Sequence, residues 1–343
     1  MTGSTARPGG RRPDAPSPDG LPASHPRQPD DRAGPAVAAV LLALVVVAVS
    51  LAAAVTPGPV VLPPPIDLAV PGTDPVFVGA GDIASGPAGP RGGDQATALL
   101  LDAIVTANPG RVTVFAAGDL AYESGTVSEF ASNYDPTWGR QRAITRPIPG
   151  NHEYHTADAA GYFAYWGATA GDPAMGFYAY DLGAWRIYAL NSEIAHGAGS
   201  TQEQWLRADL AAHPTRCALA YTHHPRFSSG THGSDPGISA LWQALVDGGA
   251  EIMLAGHDHD YQRFEPQTAA GVLDPAHGVR QWVVGTGGVG HYEIDRAIPN
   301  TVSHDDQTYG VLRLTLHPTG YDFAFVPVAG RPFRDSGEGL ACH

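Results

Sequence analysis

The apolar positions of this chain change their period along its length. Positions 36–55 are apolar throughout except for Ser50. From Pro75 onward, short apolar runs alternate with stretches of helical period. Val76–Gly81, Val112–Ala117, Ala218–Thr222, Ile252–Ala255 and Gln281–Val284 are almost continuously apolar, the pattern of strands buried on both faces. Phe177–Leu182 and Trp185–Asn191 predict a hairpin joined at Gly183, and Val311–Leu316 and Tyr321–Val328 predict two more strands. Asp94–Ala107 groups its apolar residues on one helical face. Ser200-Thr201-Gln202-Glu203 has the spacing of a capping box and predicts a helix to about His213. Strands alternating with helices argue for an α/β sheet architecture. No internal repeat interrupts it.

The N-terminal part has a different character. Residues 1–35 hold eight Pro, five Gly and no aromatic residue, too little apolar surface to fold. The 36–55 run matches the roughly 20 residues that a helix needs to cross a bilayer. Five Arg precede it and the next is Arg91, a bias that keeps the preceding tail cytoplasmic and exports the remainder of the chain. Two readings stay open: a retained membrane anchor, or a signal segment cleaved near Ala54, where Ala52-Ala53-Ala54 offers a small-residue site. Positions 56–74 are Pro-rich and read as a stiff linker, leaving 75–343 as the catalytic domain.

Charge and cysteine count narrow the class. The formal net charge is −14 and all 20 basic residues are arginine, which disfavours a nucleic-acid scaffold or an anionic membrane surface as partner. The two cysteines, Cys217 and Cys342, are expected to pair as a disulfide in an oxidising compartment.

The chemistry sits in five ordered blocks. They are Gly81-Asp82-Ile83-Ala84, Gly118-Asp119-Leu120-Ala121-Tyr122, Gly150-Asn151-His152-Glu153, His223-His224-Pro225 and Gly256-His257-Asp258-His259. Most follow a predicted strand, as expected of sites at strand ends in α/β sheets; the Asn151 block follows a predicted loop. The series resembles the calcineurin-like metallophosphoesterases. Their first block normally reads Asp-x-His, but here Ala84 takes the histidine position and Tyr122 stands three residues after Asp119. That paired loss and gain resembles the purple acid phosphatases, in which a tyrosinate binds a ferric ion. The resemblance covers roughly residues 75–330 and implies two mixed β-sheets packed face to face with flanking helices, a four-layer sandwich.

Carried onto this sequence, the resemblance implies a ferric site of Asp82, Tyr122 and His259, and a divalent site (Fe, Zn or Mn) of Asn151, His223 and His257. Asp119 would bridge the two. His223 is chosen over His224 because the family's ligand stands two residues before the proline. Two carboxylates and a phenolate against more neutral ligands is the asymmetry that a trivalent–divalent pair requires. Such a pair can clamp phosphoryl oxygens and supply hydroxide as the nucleophile. His152, beside Asn151, and His232, seven positions after Pro225, are the candidates to protonate a leaving group. Tyr261 and Arg263 resemble the Tyr-x-Arg that follows this block in purple acid phosphatases and read as pocket wall or as support behind the ligands.

The expected function is hydrolysis of small phosphate monoesters outside the cytoplasmic membrane. A phosphodiesterase acting on nucleotides or an envelope polymer would use the same metals. A non-catalytic envelope binding protein would be marked by missing ligands, and all seven positions are filled here.

Overall fold

The computed structural model describes residues 66–86 and 93–343. The tail, the apolar run and the start of the linker lie outside these residues. Among the described residues, no helix is long and apolar enough to cross a membrane.

The first half contributes β1 (Val76–Ala80), α1 (Gly93–Ala107), β2 (Val112–Ala117), β3 (Thr145–Ile148), α2 (Ala160–Trp166), β4 (Tyr178–Leu182) and β5 (Trp185–Ala189). The second contributes α3 (Thr201–Ala212), β6 (Cys217–Tyr221), α4 (Ser239–Asp247), β7 (Ile252–Ala255), β8 (Tyr261–Phe264), β9 (Arg280–Val284) and β10 (Thr301–Asp305). Three further strands complete the chain, β11 (Gly310–His317), β12 (Gly320–Pro327) and β13 (Asp335–Ala341). They form two mixed sheets, ordered β13-β12-β11-β1-β2-β3 and β10-β8-β9-β7-β6-β5-β4. Each sheet has a parallel part, β1-β2-β3 at one end of the first and β5-β6-β7-β9 in the middle of the second, and the remaining pairings are antiparallel.

The apolar runs are explained by burial on both faces. Along β6 and β7, Leu219, Tyr221, Ile252 and Leu254 point into the core between the sheets, while Ala218, Ala220 and Met253 join a second core with Leu206, Leu241 and Trp242 of α3 and α4. The period of two along a strand makes that division. Between the sheets, Phe77 meets Phe115 and Tyr221 at centroid distances of 5.0 and 6.0 Å, and Trp282 meets Phe323 at 5.1 Å. Ser200 caps α3 by accepting from the Glu203 N–H, while the Glu203 carboxylate accepts from Gly199, one residue before the expected partner.

Two expectations need correction. The Asn151 block does not follow a loop: β3 precedes it, and Pro147 disguises the strand. Proline donates no ladder hydrogen bond, so it is tolerated because β3 is an edge strand. The linker is also not a free spacer to residue 74. Ile66, Leu68 and Val70 pack on the core, the Asn108 side chain bonds both Leu68 and Val70, and Arg313 donates to the Asp67 carbonyl.

Asp74 in this segment meets His317 Nδ1 at 2.6 Å, and Asp322 meets Nε2 at 3.0 Å. The hydrogen bonds and charges of both carboxylates raise the His317 pKa. A raised histidine stabilises fully below its unfolded value of about 6.5, and the contribution fades as pH rises through the folded value. His317→Gln is therefore expected to cost about 0.5–1 kcal/mol near pH 5.5, after discounting for solvent screening, and almost nothing near pH 9. Urea unfolding at both pH values measures this; an equal loss at both would assign the effect to packing.

The disulfide is present. Cys217, the first residue of β6, is bonded to Cys342 just after β13, so the bond joins the two sheets. Neither cysteine is free.

Candidate metal centre

The site begins where the β1–β2 ladder runs on past the strand ends. Ile83 N donates to Asp119 O at 2.9 Å, Ala84 N to Leu120 O at 3.2 Å, and Tyr122 N back to Ala84 O at 2.9 Å. Asp82 and Asp119 thus emerge side by side, and Tyr122 is drawn over the fully buried Ala84. Asp82, Asp119 and His257 all take left-handed backbone, with φ of 60°, 52° and 73°. Only six non-glycine residues among those described do so, and three are candidate ligands. Backbone of this kind costs of order 1–3 kcal/mol per residue and concentrates at functional sites.

The side chains converge on Asp119 Oδ2. Tyr122 Oη lies 3.1 Å from it and 3.1 Å from Asp82 Oδ1, and 3.3 Å from His259 Nε2. On the other side, His223 Nε2 lies 3.3 Å from Asp119 Oδ2 and 3.1 Å from Asn151 Oδ1. The His257 ring packs on that of His223 at 5.1 Å. Two groups result, Asp82–Tyr122–His259 and Asn151–His223–His257, with Asp119 between them. Backbone carbonyls hold the outer nitrogens: His223 Nδ1 meets Ala117 O at 2.9 Å and His259 Nδ1 meets Gly290 O at 2.7 Å. This turns each Nε2 inward, as metal-binding histidines require.

The donor set fits a pair of cations. Asp82 and Asp119 are buried, and among the described residues their only ion-pair partners are histidines. Burial and then the Asp119 and Asp82 carboxylates push the Tyr122 hydroxyl well above its ordinary pKa of 10, so its ionisation needs a strongly acidic cation beside it. Burial favours neutral His223, yet the Asp119 charge overrides it and pushes the ring up to about 10; the Asp119 pKa is correspondingly lowered. A cation entering there would displace that proton. Burial, followed by the neighbouring charges of His223, His224 and His232, lowers His257 to about 2, leaving a neutral imidazole.

Two features were not assigned roles from the sequence. Glu153 is fully buried beneath the centre and accepts four backbone N–H groups, from Asp119, Leu120, Ala121 and Gly150, at 2.8–3.1 Å. Tyr292 stacks on His259 with centroids 4.0 Å apart, and no motif marked it. The glycines of the blocks have a steric reason. A Cβ on Gly150 would stand 2.3 Å from Asp119 Oδ1 and 2.8 Å from His223 Cδ2. Gly150→Ala should therefore displace Asp119 and lower metal occupancy at least about 10-fold while costing only about 1–3 kcal/mol in stability, the usual range for overpacking. Metal analysis after gel filtration checks this, and full occupancy would mean the loop yields.

The remaining candidates surround this centre. His152 Nδ1 meets the Glu123 carbonyl at 2.7 Å, and its ring lies 4.2 Å from that of Tyr122. His232 lies over His257 at 4.2 Å with 39% of its side chain exposed. His224 is near enough for its ring nitrogens to group with His223 and His257, but they face Glu193 and Asp235, each at 3.4 Å. Tyr261 and Arg263 are not pocket wall. Both are tied to Asp335 of β13, the arginine by two bonds of 2.7 and 3.0 Å, because β8 pairs inside the second sheet and turns them towards the first.

Comparison with known proteins agrees with this geometry. The family model described as calcineurin-like phosphoesterase matches residues 76–261, just over half of the chain. Purple acid phosphatase 21 of Arabidopsis thaliana is 29% identical over 173 residues, 43% of this chain and 38% of that protein. Purple acid phosphatase 15 of the same plant is 29% identical over 170 residues, 44% of this chain and 32% of that protein. The chain thus spans well under half the length of these relatives. Among solved structures, purple acid phosphatase PPD1 from yellow lupin (Lupinus luteus) seeds superposes with a TM-score of 0.66 at 18% identity, over 80% of this chain and 54% of that one. With its fold and its tyrosine-bearing variant of the blocks, the chain belongs to the calcineurin-like phosphoesterase family and is purple acid phosphatase-like within it.

Proposed function

We propose that the protein hydrolyses small phosphate monoesters at an Fe(III)–M(II) centre, M being Fe, Zn or Mn, outside the cytoplasmic membrane. The observation that carries this reading is the Tyr122 hydroxyl seated between Asp82, Asp119 and His259 above Ala84. The ferric ion would take Asp82, Tyr122 and His259, the divalent ion Asn151, His223 and His257, and Asp119 would contact both. When bound, the metals supply Lewis-acid stabilisation of the phosphoryl oxygens and acidify the attacking water. The protein's own part is to position and to move protons. Glu153 fixes the backbone that carries Asp119, and the His152 N–H fixes Asp119 Oδ1 at 2.9 Å. His152 and His232, both partly open to solvent, hold protons for the leaving oxygen.

Export is supported by the apolar run at 36–55, the arginines before it and the disulfide. Labelling intact cells with an impermeant reagent tests it; a catalytic domain reached only after lysis would sink it. The activity is tested with iron-loaded full-length protein on 4-nitrophenyl phosphate and its bis-ester. A monoester preference of at least about 10-fold is expected, a discrimination of roughly 1.4 kcal/mol. A faster diester reaction would replace this reading with the phosphodiesterase one, and inactivity on both would overturn it.

A further inference from the structure

Asp258 lies between two candidate ligands, His257 and His259, yet its carboxylate serves a different loop. It is fully buried. Oδ1 accepts from the His232 backbone N–H at 2.8 Å and faces His232 Nδ1 at 3.2 Å. Oδ2 accepts from the Ser228 hydroxyl, whose oxygen in turn accepts from Gln262 Nε2 at 2.9 Å and Gly230 N at 3.0 Å. One buried acid therefore fixes both ends of the loop 228–232. It also sets how its histidine points, since the ring it faces is held between His257 at 4.2 Å and Tyr292 at 5.0 Å. A carboxylate aimed at Nδ1 selects the tautomer with the proton on that nitrogen, and the other nitrogen is left for chemistry.

We infer that Asp258 is a positioning residue that holds His232 over His257 with Nδ1 protonated, so that Nε2 is the nitrogen presented to the leaving group. The inference rests on the phosphatase reading above and adds to it which residue orients the acid. In the step itself the ring starts with a proton on both nitrogens; the ester P–O bond breaks with its electron pair on the leaving oxygen, which takes the Nε2 proton. The oxygen of water forms the new P–O bond and its proton passes to solvent, and the ring is left neutral with its remaining proton on Nδ1, facing Asp258.

The test has two arms, both on the full chain. In ¹⁵N-histidine NMR of metal-free and zinc-loaded protein, with His232→Ala used to assign the ring, wild-type His232 should carry its proton on Nδ1. Asp258→Asn should mix the tautomers. A wild-type ring protonated on Nε2 alone, or one unchanged in Asp258→Asn, overturns the inference. In the kinetic arm, Asp258→Asn should lower kcat/KM for an alkyl phosphate on the order of 100-fold, the usual worth of a general acid. For 4-nitrophenyl phosphate, whose leaving group barely needs a proton, it should lower the value less than about 3-fold, and in a His232→Ala background it should add nothing. Equal losses on both esters, or losses that add to those of His232→Ala, would give Asp258 a purely structural role. If the wild type hydrolyses neither ester, the phosphatase reading fails and the NMR arm alone decides the positioning.

Discussion

Tyr122→Phe is expected to abolish the long-wavelength colour of the oxidised, iron-loaded protein and to lower its ferric occupancy at least about 10-fold, one lost ligand contact of roughly 1.4 kcal/mol or more. The metal-free fold should change by no more than about 1 kcal/mol, the net worth of one buried hydrogen bond. The hydroxyl has one proton and two carboxylates at 3.1 Å, so in metal-free protein it can satisfy only one of them. Its removal costs the protein little without metal and much with it. The position beneath offers no substitute, since Ala84 has no donor and is fully buried. Absorption spectra and metal analysis of wild type and variant make the measurement; a wild type that binds iron without colour would refute the tyrosinate assignment.

Glu153→Gln should be the more damaging change to the fold itself. The carboxylate takes two backbone donors on each oxygen, Leu120 and Ala121 on Oε1 and Asp119 and Gly150 on Oε2. Burial and the Asp119 charge push its pKa up to about 8, against the pull of these donors. An amide offers one acceptor oxygen and turns its NH₂ towards two N–H groups. Above about pH 8, where the carboxylate is ionised, two buried donors left without acceptors cost about 1–3 kcal/mol each, so a loss of about 3–5 kcal/mol is expected there, with Asp119 displaced and metal binding weakened. Denaturant unfolding of the metal-free variant reads the first effect and metal analysis the second. A variant as stable as wild type would mean the amide finds another arrangement.

Most strands that could be read from sequence are buried on both faces; the edge strand β4 was legible from its hairpin turn at Gly183, and β8, although paired on both sides, was not. The runs of β1, β2, β6, β7 and β9 leave no other interpretation, whereas the elements on the margins hide. β3 contains Pro147, β10 carries Ser303, His304 and Asp305, and β13 reads Asp-Ser-Gly-Glu-Gly-Leu-Ala; β3, β10 and β13 are all edge strands, half exposed or short of apolar positions. Helix α4 does carry a signal, with Leu241, Trp242 and Leu245 buried on one face. In the site, the residues with fixed spacing were legible because metal chemistry restricts which side chains can stand there. Glu153 and Asp258 were visible as letters, but their work is done towards backbone N–H groups and a loop histidine far along the chain. Only the fold brings those partners within reach. The same holds for Tyr261 and Arg263, whose partner Asp335 lies on a strand that composition did not announce.

The pairing of β1 sets an order of events for the growing chain. Val76 stands opposite Thr315 and Gly79 opposite Leu312, so the strand that delivers Asp82 has a neighbour on one side only until residues 310–317 have been made. Contacts so distant in sequence close late, because their loop entropy must be met first. The metal centre is therefore expected to mature only after the chain has been completed. On the function proposed above, its ions would be taken up by a completed polypeptide, from the metal pool present where folding finishes. Chains halted before residue 310 should bind no iron in pulse-labelling with radioactive metal, and the compartment in which label first appears would locate the loading step.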